Sequence, residues 1–134
     1  MNQALQRDKY LQTKIQTASP AQLLIMLYDG AIRFSRMAID AIEKKQPQEA
    51  HNSLLRVQNI INEFIITLDR TSPMADGLLR LYEYFHFRLI QANMKKDAEP
   101  VQEVLAHLIE LRDTWVQASK SLQGQQPVAG ARNA

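Results

Sequence analysis

Four long segments in which apolar residues recur every three or four positions constrain this chain most strongly. Apolar side chains at that spacing share one face of an α-helix, and that face packs against a core. Only short breaks rich in Pro, Ser, Asp and Gln separate the segments. Helices of about 22–25 residues, joined by such short breaks, become antiparallel neighbours. The sequence therefore predicts an all-α protein, an antiparallel up-down four-helix bundle.

Several helix starts are readable from the sequence. Residues 19–22 read SPAQ, in which serine suits the N-cap, proline the first turn, and glutamine the position that bonds back to the cap. We expect this helix to end near Lys45 and the next to begin at Pro47. Ser72, with the proline after it, predicts the start of the third helix, and Asp97 is the expected N-cap of the fourth.

The sequence before the expected bundle and the sequence after it differ in character from the four helices. Residues 1–18 have few apolar positions and cannot form a stable helix alone, so we interpret them as an N-terminal arm, either loose or docked on the bundle. Residues 19–122 form the four-helix bundle. Residues 123–134 lack periodicity and are expected to be a disordered tail.

Each predicted helix has one apolar stripe that we expect to face the core. The stripes contain Leu24, Leu27, Tyr28, Ala31, Ser35, Ala38, Ile39 and Ile42; then Ala50, Leu54, Val57, Ile61, Phe64, Ile65 and Leu68; then Met74, Leu78, Leu81, Tyr82, Phe85, Leu89 and Ala92; and finally Val101, Val104, Leu105, Leu108, Leu111, Trp115 and Leu122.

More apolar residues lie outside these stripes than one core can cover. Single exposed apolar residues are normal, but strips that recur on three helices suggest grooves for another amphipathic helix, with adaptable methionines at the contact. The residues of these outer strips, with the asparagines among them, are Met26, Leu55, Asn59, Asn62, Ile66, Leu79, Phe87, Ile90 and Met94.

Composition excludes several classes of protein. The chain has no cysteine, so neither a disulfide framework nor a thiolate metal site is expected, and a reducing cytosol is the simplest location. Its N-terminus has no apolar signal region, and no run approaches the ~18 apolar residues of a membrane span. A net charge of +2 with dispersed basic residues does not predict nucleic-acid binding.

Candidate catalytic and metal-binding residues are few. Glu83 and His86 have the spacing of half a di-iron site, but the second such pair is absent, since Glu103 and His107 are four residues apart. The sequence contains neither a nucleophile motif nor a Gly-rich phosphate loop. We therefore expect no enzyme activity, no metal and no cofactor.

The charges of the first helix have a simple local interpretation. Spacing predicts ion pairs of Asp29 with Arg33 and of Arg36 with Asp40, four residues apart on a solvated face. Arg112 lies near the inner half of the fourth helix, where it either runs along the bundle edge or pairs with a carboxylate. A ligand-binding role for Arg112 is the alternative.

Four stretches together resemble the flagellar secretion chaperone family, the chaperones of flagellin. The resemblance runs from about Tyr10 to Trp115, and its most specific part is T-A-S-P-x-x-L followed by M-L-Y-D-G. The four stretches are TASPAQLLIMLYDGAIRF at 17–34, QNIINEF at 58–64, LYEYFHFRLIQAN at 81–93 and EVLAHLIELRDTW at 103–115.

This resemblance implies a helical bundle that binds the C-terminal helical segment of flagellin, prevents premature polymerisation and delivers the subunit to the flagellar type III export gate. It also implies that the segment from Tyr10 to Ile15 covers part of the binding surface when no client is bound, and that the tyrosine contributes to client binding. Tyr10, Ile15 and Tyr28 complete, with the outer strips, the predicted client-binding surface.

The alternative is a self-associating helical bundle, an adaptor or regulatory protein without a flagellin client. A self-complementary apolar patch and a client groove have the same sequence pattern. Exchange of the N-terminal arm between two copies, which would give a homodimer, is compatible with either function.

Overall fold

The computed structural model describes residues 2–133, and within that range the side chains of residues 3–121. The described part of the chain contains helices and no strand, which confirms the predicted all-α class. The helices are α1 (Asn2–Thr17), α2 (Pro20–Glu43), α3 (Pro47–Thr67), α4 (Ala75–Lys95) and α5 (Ala98–Asn133).

Four of the helices surround one core. Helix α2 packs against α3 and α5, and α4 packs against the same two helices, so the contacts close a ring. The periodic stripes of the sequence supply its interior, as their 3.6-residue spacing predicts. Its large side chains, none more than 2% exposed, are Tyr28, Leu54, Val57, Ile61, Phe64, Tyr82, Phe85, Leu89, Val101, Val104 and Leu108.

The start of α2 has the predicted capping box. The Ser19 hydroxyl accepts a hydrogen bond from the Gln22 amide at 3.2 Å, and the Ser19 amide donates to the Gln22 side chain at 2.9 Å. Pro20 follows in the first turn, where its missing N–H costs nothing. At the other end of the ring, Asp97 accepts from the Glu99 amide at 3.1 Å and caps α5 as predicted.

The start of α4 differs from the prediction. The helix begins at Ala75, because residues 69–74 form a turn of their own. Within this turn the Asp69 carboxylate accepts hydrogen bonds from the Thr71 amide and hydroxyl, which lower the pKa of Asp69. Met74 therefore precedes the helix and is exposed, although it was expected to face the core. Ser72 caps the turn, since its hydroxyl accepts from the Met74 amide at 3.2 Å.

Two lysines follow helix ends in the left-handed conformation. Lys45, after α2, has a φ of 55°, and Lys96, after α4, has a φ of 52°. Glycine or asparagine is the usual residue there, because a Cβ crowds the following carbonyl. Both lysines lie in the short breaks between helices, α2–α3 and α4–α5.

The N-terminal arm is a helix but is not docked. Every side chain from Gln3 to Thr17 is exposed, so α1 contributes nothing to the core of the other four helices. The predicted disordered tail, residues 123–134, is not confirmed, since the backbone of residues 123–133 belongs to α5.

Candidate functional site

Most of the predicted client-binding residues are accessible. Met26 and Leu79 are half-buried. Nine others are exposed, as a binding surface requires. The exposed residues are Tyr10, Ile15, Leu55, Asn59, Asn62, Ile66, Phe87, Ile90 and Met94. Ile66, 75% exposed, and Met94, 80% exposed, are unusually open for apolar side chains.

Tyr28 does not lie on the surface, which corrects its place in the predicted set. It is fully buried, and its ring stacks on Phe64 with centroids 4.4 Å apart. Its hydroxyl oxygen lies 2.6 Å from that of Tyr82, across the core from α2 to α4. Burial raises the pKa of both hydroxyls, so both tyrosines stay neutral and share a hydrogen bond. The sequence assigns Tyr28 both to the core stripe of the first helix and to the client-binding surface. Its burial agrees with the core stripe.

An apolar groove of about 720 Å³ lies between the start of α2 and the end of α3. We call it the α2–α3 groove. Ile15 of the arm stands at its edge, so α1 and the groove meet at this end of the ring. The lining residues are Ile15, Pro20, Leu23, Leu24, Met26, Leu27, Glu63 and Thr67. Its apolar lining and its size suit the side chains of one face of a helix.

A second, smaller concavity of about 340 Å³ lies between the start of α3 and the end of α4. We call it the α3–α4 pocket. It combines two predicted residues of the outer strip, Ile90 and Met94, with polar side chains that the sequence pattern did not single out. The other lining residues are His51, Gln58, Asn93 and Lys96.

The charged residues of α2 pair differently from the prediction. Arg112 of α5 donates to the Asp29 carboxylate at 2.6 Å, and Lys44 pairs with Asp40 at 3.1 Å. The expected pairs of Asp29 with Arg33 and of Arg36 with Asp40 are therefore wrong. A guanidinium from the neighbouring helix captures Asp29, a contact that spacing within α2 cannot reveal. The prediction that Arg112 pairs with a carboxylate is confirmed.

The two arginines that flank Phe34 are a further feature that sequence reasoning missed. The guanidinium carbons of Arg33 and Arg56 lie 4.8 Å and 5.1 Å from the centroid of the Phe34 ring. Arg56 belongs to α3 and Phe34 to α2, so this cation–π cluster helps to join the two helices. It gives the α2–α3 face a positive charge.

A polar cluster links α4 to α5 on the outside. Glu103 accepts hydrogen bonds from the Tyr84 hydroxyl at 2.7 Å and from Arg88 at 2.8 Å. These two donors lower the pKa of the Glu103 carboxyl. Glu103 thus has structural partners and does not form a metal site with His107, whose ring packs near Phe85.

The described side chains offer little for chemistry or membrane insertion. Among residues 3–121, no three or more His, Cys, Asp or Glu side chains form a group that could hold a metal ion. Within the described helices, none has the length and apolar character needed to cross a membrane.

Comparison with known proteins identifies the family. A family model described as flagellar protein FliS matches residues 1–122. The chain belongs to the FliS family. It is 38% identical to a flagellar secretion chaperone FliS of Bacillus subtilis over 112 residues, which cover 84% of each chain. It is 29% identical to a flagellar secretion chaperone FliS of Salmonella typhimurium over 119 residues, covering 87% of this chain and 88% of the relative.

A third FliS relative, the flagellar secretion chaperone FliSB of Pseudomonas aeruginosa, is 31% identical over 107 residues, covering 78% of this chain and 85% of the relative. These matches confirm the resemblance that the four sequence stretches indicate. A chaperone acts by binding, so membership of the FliS family also confirms that the chain is a flagellar chaperone and not an enzyme.

Proposed function

We propose that this FliS-family chain is a cytosolic export chaperone that binds the C-terminal helical segment of flagellin. It prevents premature polymerisation of that segment and delivers the subunit to the flagellar type III export gate. The observation that carries the proposal is the apolar α2–α3 groove, accessible on a protein whose relatives are named flagellar secretion chaperones. No nucleic acid, cofactor or membrane insertion takes part.

The proposed architecture is an antiparallel up-down four-helix bundle. The closed ring of contacts supports it, and so do the helix ends that line each concavity. Pro20 at the start of α2 and Thr67 at the end of α3 share the α2–α3 groove. His51 near the start of α3 and Lys96 after α4 share the α3–α4 pocket. Neighbouring helices with ends in these positions run in opposite directions.

The proposed client surface extends over three helices and the arm. A flagellin segment that is disordered alone would fold as its apolar face docks here, and the contact must offset the cost of ordering it. Burying one Leu, Ile or Phe contributes about 1.5–3 kcal/mol before that cost. The proposed residues are Tyr10, Ile15, Met26, Leu55, Asn59, Asn62, Ile66, Leu79, Phe87, Ile90 and Met94.

The arm is proposed to act at the edge of the same surface. Ile15 already lines the α2–α3 groove, so a small rotation at Ala18 and Ser19 brings the apolar side of α1 over the groove. The arm would then cover the groove without a client, or contribute to the contact with one. Exchange of the arm between two copies would instead give a homodimer.

Isothermal titration with the C-terminal segment of flagellin from the same organism tests the proposed function. We expect binding with a negative heat-capacity change, the signature of apolar burial, and an altered affinity for a version that starts at Thr17. Ile66→Asp and Ile90→Asp should weaken binding without loss of helix content. Gln117→Asp, which adds the same charge at an exposed position of α5, is the control.

The opposite results have distinct meanings. Absence of binding by full-length protein would overturn the flagellin client, and a concentration-dependent dimer in sedimentation would then favour the self-associating bundle. If Ile66→Asp lost helix content, Ile66 would belong to the core and the surface would be misassigned.

A further inference from the structure

The α3–α4 pocket has a polar end that the burial of apolar faces does not explain. The Lys96 ammonium donates hydrogen bonds to the side-chain oxygen and to the backbone oxygen of Asn93, both at 2.6 Å. Because the side-chain oxygen of Asn93 faces the ammonium, its amide nitrogen faces His51 Nδ1, 2.9 Å away. His51 Nδ1 also lies 3.3 Å from the side-chain oxygen of Asn93, so His51, Asn93 and Lys96 form one polar cluster.

This network leaves the positive charge of Lys96 without a carboxylate partner. Both hydrogen bonds of its ammonium go to neutral oxygens of Asn93. Among the described side chains, the ion pairs are those of Lys44 with Asp40, of Arg88 with Glu103, and of Arg112 with Asp29 and Asp113; none includes Lys96. The pocket thus suits a group that accepts hydrogen bonds and bears negative charge.

The two hydrogen bonds to Asn93, and not the left-handed turn itself, keep the Lys96 charge in the pocket. Lys45 has the same backbone conformation after α2, but its side chain is exposed, whereas Lys96 is half-buried over the last turn of α4. Beside it, Ile90 and Met94 give the pocket an exposed apolar edge. One end of this surface is therefore apolar, and the other end presents the Lys96 ammonium, a hydrogen-bond donor.

We propose that the α3–α4 pocket binds the carboxyl-terminal turn of a client helix whose apolar face lies on Ile90 and Met94. The last carbonyl groups of a helix lack partners within it and carry the negative end of its dipole, so they match the Lys96 ammonium. An amino-terminal turn would instead bring N–H groups and positive potential to the same lysine. This inference rests on the proposed chaperone function and adds the direction in which the client helix lies.

The chain's own arm is a poor occupant of this pocket. The carboxyl-terminal turn of α1 is joined to α2 through Ala18 and Ser19, next to the α2–α3 groove at the end of α3. The α3–α4 pocket lies near the start of α3, and the 21 residues of that helix span about 31 Å. Helix α1 therefore does not supply the acceptor.

Two adjacent lysines provide a matched test. Lys95 is exposed in the last turn of α4, and Lys96 faces the pocket, so Lys95→Gln and Lys96→Gln remove the same charge one residue apart. We expect Lys96→Gln to weaken binding of the flagellin C-terminal segment roughly 10- to 150-fold in isothermal titration, as for the loss of one charge-assisted hydrogen bond. Lys95→Gln should change it less than about twofold. Asn93→Asp, which neutralises Lys96 in place, should weaken binding as Lys96→Gln does.

Photo-crosslinking determines the direction. With Met94→benzoylphenylalanine, we expect crosslinks to the last turn of a client helix, identified by mass spectrometry of the linked peptides. Crosslinks to the first turn of a client helix, or equal affinities of Lys95→Gln and Lys96→Gln, would overturn this inference and leave the chaperone function intact. Absence of binding by the unsubstituted protein would instead overturn the proposed function, and this inference with it.

Discussion

Leu54 and Leu55 are identical residues at neighbouring positions of α3, and their surroundings are opposite. Leu54 is fully buried in the core, whereas Leu55 is 40% exposed on the outer strip. Leu89 and Ile90 repeat the contrast on α4. Because one step along a helix turns the side chain by about 100°, neighbouring apolar residues face different surroundings. The inner face explains the fold, and the outer face needs another explanation, which the proposed client would supply.

Truncating the two leucines tests this contrast most strongly. Leu54→Ala should lower the free energy of unfolding by about 2–5 kcal/mol, because it removes buried methyl groups and leaves a cavity. Leu55→Ala should change it by less than about 0.5 kcal/mol and should weaken binding of the flagellin segment. Urea denaturation and isothermal titration measure the two effects. Equal losses of stability would mean that the outer strip belongs to the core.

The buried tyrosine pair gives the next largest expected effect. Tyr28→Phe leaves the Tyr82 hydroxyl buried without its partner and should cost about 1–3 kcal/mol of the free energy of unfolding. The double variant Tyr28→Phe, Tyr82→Phe removes both polar groups, so it should cost less than the sum of the single variants. Thermal denaturation of the four proteins measures this coupling. Additive costs would show that the two hydroxyls act independently.

The smallest expected effect concerns the outer polar cluster of Glu103. The hydrogen bonds from Tyr84 and Arg88 lower the pKa of its carboxyl below the ordinary value of 4.5. The stability that this contact contributes is therefore present above that ordinary value and is lost as the pH falls through the lowered one. Glu103→Gln should reduce the acid sensitivity of urea denaturation, and less so at high salt. Glu83→Gln, on the exposed face of α4, is the control; an equal effect there would contradict the prediction.

The sequence pattern was sufficient to predict most of the core and three of the four helix starts, because burial and capping depend on residues within a few turns. It could not predict the pairing of Asp29 with Arg112, which lies 83 positions further along the chain and on a different helix. Periodicity placed Tyr28 in the core stripe, but it could not reveal the hydrogen bond to Tyr82 of α4. Local spacing also missed the polar end of the α3–α4 pocket. That end consists of His51 near the start of α3, Asn93 near the end of α4 and Lys96 in the turn after it.

The undocked arm has a thermodynamic consequence. Helix α1 is joined to α2 through only Ala18 and Ser19, so any contact between the arm and the α2–α3 groove is intramolecular. A segment tethered so closely has an effective concentration in the millimolar range, which dilution of the protein does not change. Occupancy of the groove by a client, in contrast, rises with the amount of free client. If the arm covers the groove as proposed, the balance between the arm and the client responds to the supply of the client and not to the abundance of the chaperone.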